Sequence, residues 1–93
     1  MIKNFIDKET AKLYKAGKSK KFPPDIWKRA VRKLDMIKRA KTLEDLKVPP
    51  SNRLEPLKGD LEGFYSIRIN DQYRIIFRFE NGDTYDVAIV DYH

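Results

Sequence analysis

The run YRIIFRFENGDTYDVAIVDYH, residues 73–93, decides how this chain folds. It holds two apolar-rich alternating segments, YRIIFRFE and DTYDVAIVDYH, split by Asn81-Gly82, the strongest short-range hairpin signal in a sequence. A two-residue turn pairs Glu80 with Asp83, so Arg78 is expected to face Tyr85, Ile76 to face Val87 and Arg74 to face Ile89. Continued to the end of the chain, this parity puts Gln72, Arg74 and Arg78 on one face with Asp91 and His93.

Upstream, FYSIRIN (64–70) reads as a further strand joined through Asn70-Asp71-Gln72. Keeping Tyr65, Ile67 and Ile69 with Ile75, Phe77 and Phe79 places Ser66 and Arg68 beside Arg74. One face then collects the apolar side chains, with Ala88 and Val90 among them, and becomes the core. The other carries Arg68, Gln72, Arg74, Arg78, Asp91 and His93.

Before Pro49-Pro50 the hydrophobic period is helical. In DIWKRAVRKLDMIKRAK, Ile26, Trp27, Ala30, Val31, Leu34 and Ile37 fall on one stripe, and Pro23-Pro24-Asp25 suits a helix entry because proline leaves no amide unpaired there. A shorter helix is expected over 8–16, from an Asp7 cap to a Gly17 stop, and TLEDL (42–46) reads as one more turn capped by Thr42. RLEPL (53–57) and IKNFI (2–6) read as short strands. The expected architecture is therefore α+β, in the order β-α-α-β-β-β-β. Two N-terminal helices pack on one face of a twisted, largely antiparallel sheet of four to five strands, in one domain spanning 1–93.

Composition narrows the chemistry. With no cysteine and one histidine, His93, the chain has no disulfide framework, thiolate nucleophile or multi-His metal motif, and no cofactor is expected. No apolar run is long enough for a membrane span and MIKNFIDKET turns charged early, so the chain reads as soluble and cytoplasmic. Its net charge of +6 favours a polyanionic partner. Lys28, Arg29, Arg32, Lys33 and Arg39 on the second helix, with KSKK at 18–21, suit a solvated surface and also docking on structured RNA.

An antiparallel sheet usually wets one side, so a single arginine there needs no function. Arginines at neighbouring positions repel one another, and that favours an anion site. Cleavage of RNA through its 2'-hydroxyl needs a base, an acid for the leaving 5'-oxygen and fixed positive charge on the phosphoryl oxygens. His93 is the candidate proton carrier, Arg74 the charge stabiliser and Asp91 an orienting or proton-accepting partner.

The LKGD turn (57–60), SIRINDQYRI (66–75), the Asn-Gly hairpin and the final VDYH together resemble HigB-type toxins of the RelE/ParE superfamily, and the match covers the whole chain. The resemblance implies a RelE-like fold and a type II toxin that binds the ribosome and cleaves mRNA in the decoding site without a metal. It also implies neutralisation by an antitoxin, HigA-like with a helix-turn-helix domain, in a hetero-oligomer. By position the resemblance carries catalytic roles to Lys58, Arg74, Asp91, Tyr92 and His93, with Arg68, Gln72, Arg78, Glu55 and Arg53 around the substrate. Glu55 stands where some members carry histidine, which leaves more proton transfer to His93 and Asp91. Two other readings are a ParE-like gyrase inhibitor of the same fold and a basic nucleic-acid-binding module.

Overall fold

A computed structural model describes residues 1–92. Helices α1 (Lys8–Ala16) and α2 (Trp27–Arg39) precede strands β1 (Glu55–Pro56), β2 (Tyr65–Arg68), β3 (Tyr73–Glu80) and β4 (Asp83–Asp91). The strands form one antiparallel sheet in the order β1-β2-β3-β4, with both helices on one face. This is the expected α+β architecture at the four-strand end of its range.

Each helix end has a local cause. Gly17 enters the left-handed region and returns its N–H to the Leu13 carbonyl, closing α1. Asp7 stands at the α1 N-cap without a side-chain capping bond, so the expected cap is not made there. Pro24–Ile26 forms a 3-10 turn that leads into α2, and Thr42 with Asp45 builds a capping box on the 3-10 turn Leu43–Lys47. The helices are clasped by Tyr14, whose hydroxyl donates to Asp35 Oδ1 at 2.7 Å.

The core between helices and sheet is filled by Leu13, Ile26, Leu34, Ile37, Ile67, Ile75 and Phe77, all at most 2% exposed. Asn81 and Gly82 both take positive φ, 51° and 84°, the pair of values a type I′ turn needs. Beyond the turn Glu80, Phe79 and Arg78 pair with Asp83, Thr84 and Tyr85 as the two-residue loop dictates.

The register then changes. Between Ile76 and Arg78 the ladder slips by one residue, so Ile76 pairs with Ala88, Ile75 with Ile89, Arg74 with Val90 and Tyr73 with Asp91. The extra residue is Asp86, at φ 54°, a conformation open to aspartate because its short polar side chain bonds locally. Asn4 pins it from both sides, donating from Nδ2 to Asp86 Oδ1 at 2.8 Å and accepting the Asp86 N–H on Oδ1 at 3.0 Å. Arg78 Nε lies 3.5 Å from Asp86 Oδ2.

Several expectations change with this bulge. Val87 and Ile89 enter the main core, while Ala88 and Val90 lie on the opposite face against Ile76, in a small second cluster with Phe64, Leu57 and Leu61. Asp91 leaves the face of Arg74 because it now pairs with Tyr73. Residues 2–6 make two isolated parallel bridges, Ile2 to Thr84 and Phe5 to Val87, in place of a strand, since the bulge lies between the two points of contact. Within 53–57 only Glu55–Pro56 keeps strand geometry, because Arg53 turns into the left-handed region at φ 47°.

Asn4→Ala removes both bonds to the bulge and is expected to lower stability by about 1–2 kcal/mol in urea unfolding. At Asp86, valine should cost clearly more than glycine, because a β-branched side chain resists positive φ. Equal costs would mean that the bulge is not held as described. Burial and the bond to Asp35 push the Tyr14 hydroxyl up to about 12 from the ordinary tyrosine value of 10.0. The folded pKa is the higher one, so the native state keeps its proton longer, and the resulting stability is full below pH 10 and lost between about 10 and 12. In Tyr14→Phe that alkaline decline should be shallower, as read from unfolding curves at stepped pH.

Candidate active site

Arg74 lies on the sheet face turned away from the helices and is only 8% exposed. A buried guanidinium is costly unless its donors are matched, and here the matching is explicit. Nε donates to Ser66 Oγ at 2.8 Å on the neighbouring strand, and Nη2 donates to the Arg53 carbonyl at 2.7 Å. Nη2 also stands 3.5 Å from Glu55 Oε1. Among the described residues Nη1 has no acceptor, so the group is held from one side and lines a pocket with the other.

Arg53 offers its carbonyl because the loop before β1 is tied down. Asn52, fully buried, donates from Nδ2 to the Leu46 carbonyl at 3.1 Å and accepts the Lys33 ammonium on Oδ1. A short 3-10 turn, Pro50–Asn52, ends at Arg53 in the left-handed region. Helix α2 thus anchors the loop that orients the Arg74 guanidinium.

Arg68 is the direct cross-strand partner of Arg74, as the alternation of the second hairpin predicts. Asp71 at the β2–β3 turn is ion-paired with Arg68. That turn is set by Asn70, whose Oδ1 accepts the N–H of Gln72 at 2.9 Å and of Tyr73 at 2.7 Å. Gln72 in turn holds the end of β4, accepting the Tyr92 N–H on its carbonyl at 2.6 Å and donating from Nε2 to Asp91 Oδ2 at 3.0 Å.

Tyr92, 43% exposed, brings its ring over Arg74, with Cζ 5.3 Å from the ring centroid. Together Arg53, Arg68, Asn70, Asp71, Arg74 and Tyr92 line a pocket of about 190 Å³. The lining thus offers the guanidinium groups of Arg68 and Arg74 and the Tyr92 ring, together with the Asp71 carboxylate that pairs with Arg68.

Of the residues singled out from the sequence, Arg53, Arg68, Arg74 and Tyr92 converge on this pocket. Glu55 stands beside it through Arg74, and Gln72 adjoins it by accepting the Tyr92 N–H, whereas Asp91 lies on the other face and is bonded to Gln72. Lys58 lies apart from the lining, exposed, at the entry to the turn Gly59–Leu61. Arg78 does not join: its guanidinium packs on the Phe64 ring at 4.6 Å and beside Asp86. Gly63, at φ 94°, leaves the room, since a Cβ there would stand 3.1 Å from Arg78 Nη1. His93 lies outside the described residues. Sequence reasoning missed Asn70 and Asp71 as lining groups and Ser66 as the Arg74 anchor; the Asn-Asp turn and a serine among apolar strand residues were the signals present. No group of three or more His, Cys, Asp or Glu side chains able to hold a metal ion occurs among the described residues. No helix among them is long and apolar enough to cross a membrane.

A family model described as the RelE-like toxin of type II toxin-antitoxin system HigB matches residues 3–93. Toxin HigB-1 of Vibrio cholerae is 40% identical over 83 residues, which span 88% of this chain and 87% of that protein. Endoribonuclease HigB of Proteus vulgaris is 37% identical over 93 residues, the full length of both chains. Among solved structures, the YoeB-YefM complex from Staphylococcus aureus superposes with a TM-score of 0.62 at 22% identity, covering 100% of this chain and 95% of that one. At that identity the likeness speaks to the fold.

Ser66→Ala strips the buried Arg74 Nε–H of its acceptor and should cost about 1–3 kcal/mol, measured by chemical denaturation. Arg68→Gln breaks only an ion pair whose Asp71 side is 95% exposed, and should cost under about 1 kcal/mol. Similar costs for the two would contradict the view of Arg74 as a guanidinium locked by its surroundings.

Proposed function

The chain belongs to the RelE-like HigB toxins of type II toxin-antitoxin systems, and from that premise we propose that it is an endoribonuclease that cuts mRNA held in the ribosomal decoding site, so halting translation. The observation that carries this reading is the pocket lined by Arg68 and its cross-strand partner, the locked Arg74, which lies against the Tyr92 ring. Fixed positive charge aimed at developing phosphoryl charge supplies the largest share of such catalysis, because it needs no reorganisation during the reaction. The name of the Proteus vulgaris relative, an endoribonuclease aligned over its full length, supports the same activity.

In the proposed reaction a ribose 2'-oxygen loses its proton to a base and attacks the adjacent phosphorus. The bond from phosphorus to the 5'-oxygen breaks, and that oxygen takes up a proton. The products are a 2',3'-cyclic phosphate and a 5'-hydroxyl end. Arg74 and Arg68 neutralise the non-bridging oxygens, and the Tyr92 ring stacks on a base at the cut. His93 is the proposed proton carrier, with Asp91 as an orienting partner from the neighbouring face; Lys58 adds charge from outside the pocket lining, and Gln72, Glu55 and Arg53 hold the substrate and Arg74 in place. The chemistry as proposed uses guanidinium charge where other nucleases use a metal.

The partners proposed are the ribosome with its mRNA, in the cytoplasm, and an antitoxin, HigA-like with a helix-turn-helix domain. The antitoxin blocks the toxin in a hetero-oligomer.

The test is cleavage of translated mRNA in a reconstituted translation system, with 5'-ends mapped. The parent should produce 5'-hydroxyl ends within ribosome-bound codons. Arg74→Lys and His93→Gln, each first shown to unfold as cooperatively as the parent, should cut on the order of 100-fold more slowly. Parental rates in both variants would remove the site assignment, and gyrase inhibition without any RNA cut would replace the reading with a ParE-like one.

A further inference from the structure

We propose that the groove between α2 and the β2–β3 turn is a second phosphodiester subsite, which receives the RNA strand where it extends beyond the Arg74 pocket. This rests on the nuclease reading above. The groove encloses about 480 Å³ and is lined by Arg29, Arg32, Lys33 and Arg68, with Ser51 and Asn70 as neutral polar groups. Among the described residues Met36 and Ile69 are its apolar lining, and no carboxylate lines it.

The electrostatics of the groove are unbalanced without a ligand. Lys33 is 8% exposed and its ammonium rests on a neutral acceptor, Asn52 Oδ1. Arg29 donates to the Ile69 carbonyl at 3.2 Å, again a neutral partner. Among the described residues neither Arg29, Arg32 nor Lys33 is within ion-pair distance of a carboxylate. Burial, with Arg29 close by, holds the Lys33 amine below the usual lysine value, the mark of an ammonium short of counter-charge. An anion in the groove supplies that charge.

Geometry points to a strand of RNA. Arg68 and Asn70 line both the groove and the Arg74 pocket, so the two are continuous, with the Arg68–Asp71 pair at their junction. A polyphosphate chain offers an anion at each of successive positions along such a track, whereas a single small anion would occupy only one. The sparse apolar lining gives a peptide little to bury beyond its charges.

The probe is a labelled hexanucleotide with 2'-O-methyl riboses, which lacks the attacking hydroxyl, titrated by fluorescence anisotropy over a salt series, with backbone amide shifts followed by NMR. The hexamer should shift the Ser51 and Asn70 amides as well as Tyr92. Arg32 is exposed and makes none of the hydrogen bonds or ion pairs that hold the loop or turn, so Arg32→Gln keeps the fold. It should weaken hexamer binding roughly 5-fold and lower the salt slope by about one. Lys33→Met should weaken binding in the same sense, and a dinucleoside monophosphate, too short to reach the groove, should not distinguish Arg32→Gln from the parent.

Unchanged hexamer affinity in both variants, or no shift at Ser51 and Asn70, would overturn the subsite while leaving mRNA cleavage by the parent, and so the nuclease reading, intact. Displacement of the hexamer by a short poly-glutamate peptide that binds more tightly would also overturn it, assigning the groove to an acidic protein segment. Hexamer binding through the groove with no cleavage of translated mRNA would instead sink the nuclease reading alone.

Discussion

One additional residue in β4 governs much of this molecule. Side chains on a strand alternate, so inserting Asp86 into the ladder inverts the facing of everything that follows it. Val87 and Ile89 are driven into the main core and Ala88 and Val90 out of it. The same inversion brings Tyr92 over Arg74. The bulge is fixed from the N-terminal segment, through the reciprocal bonds of Asn4, and from β3, through Arg78. The N-terminal segment therefore helps to set the far end of the chain, although Asn4 and Asp86 are 82 residues apart.

The Arg74 pocket shows how a small domain holds a cation out of water. A guanidinium has a planar fork of donors, and here a hydroxyl, a carbonyl and a carboxylate meet it from β2, the preceding loop and β1. Lysine, a point charge on a flexible stem, could not satisfy these three in the same way. The loop is itself held by Asn52, which also receives Lys33 from α2. The helical half thus contributes to the pocket by fixing the carbonyl that Arg74 grips. Arg68 and Asn70 line both the pocket and the groove, so positive charge is distributed over two connected concavities.

Much of this was legible from local chemistry. Asn81-Gly82 names its own turn because both positions need positive φ, and Thr42 with Asp45 closes a capping box within four residues. Tyr65, Ile67, Ile75 and Phe77 face the helices as their alternation requires, and that alone sets Arg68 against Arg74. The family motifs were legible as well, since LKGD and the closing VDYH are contiguous strings. Asp91 was misplaced because the parity rule assumes an unbroken ladder, and nothing in TYDVAIVD marks which residue will be skipped. Arg78 looked like a third member of the cluster, but Phe64 and Asp86 claim its guanidinium.

Local sequence, then, determined the elements, their order, the first pairings of each hairpin and the excess of positive charge, because turn dihedrals and side-chain alternation act over a few neighbouring residues. Tertiary structure decided which face the end of β4 presents, which arginine is locked and which lies against an aromatic ring. Those outcomes depend on bonds between Asn4 and Asp86 and between Arg53 and Arg74, residues far apart in the chain. Such bonds form only when the helices, loop and sheet are packed together, so no local pattern encodes them.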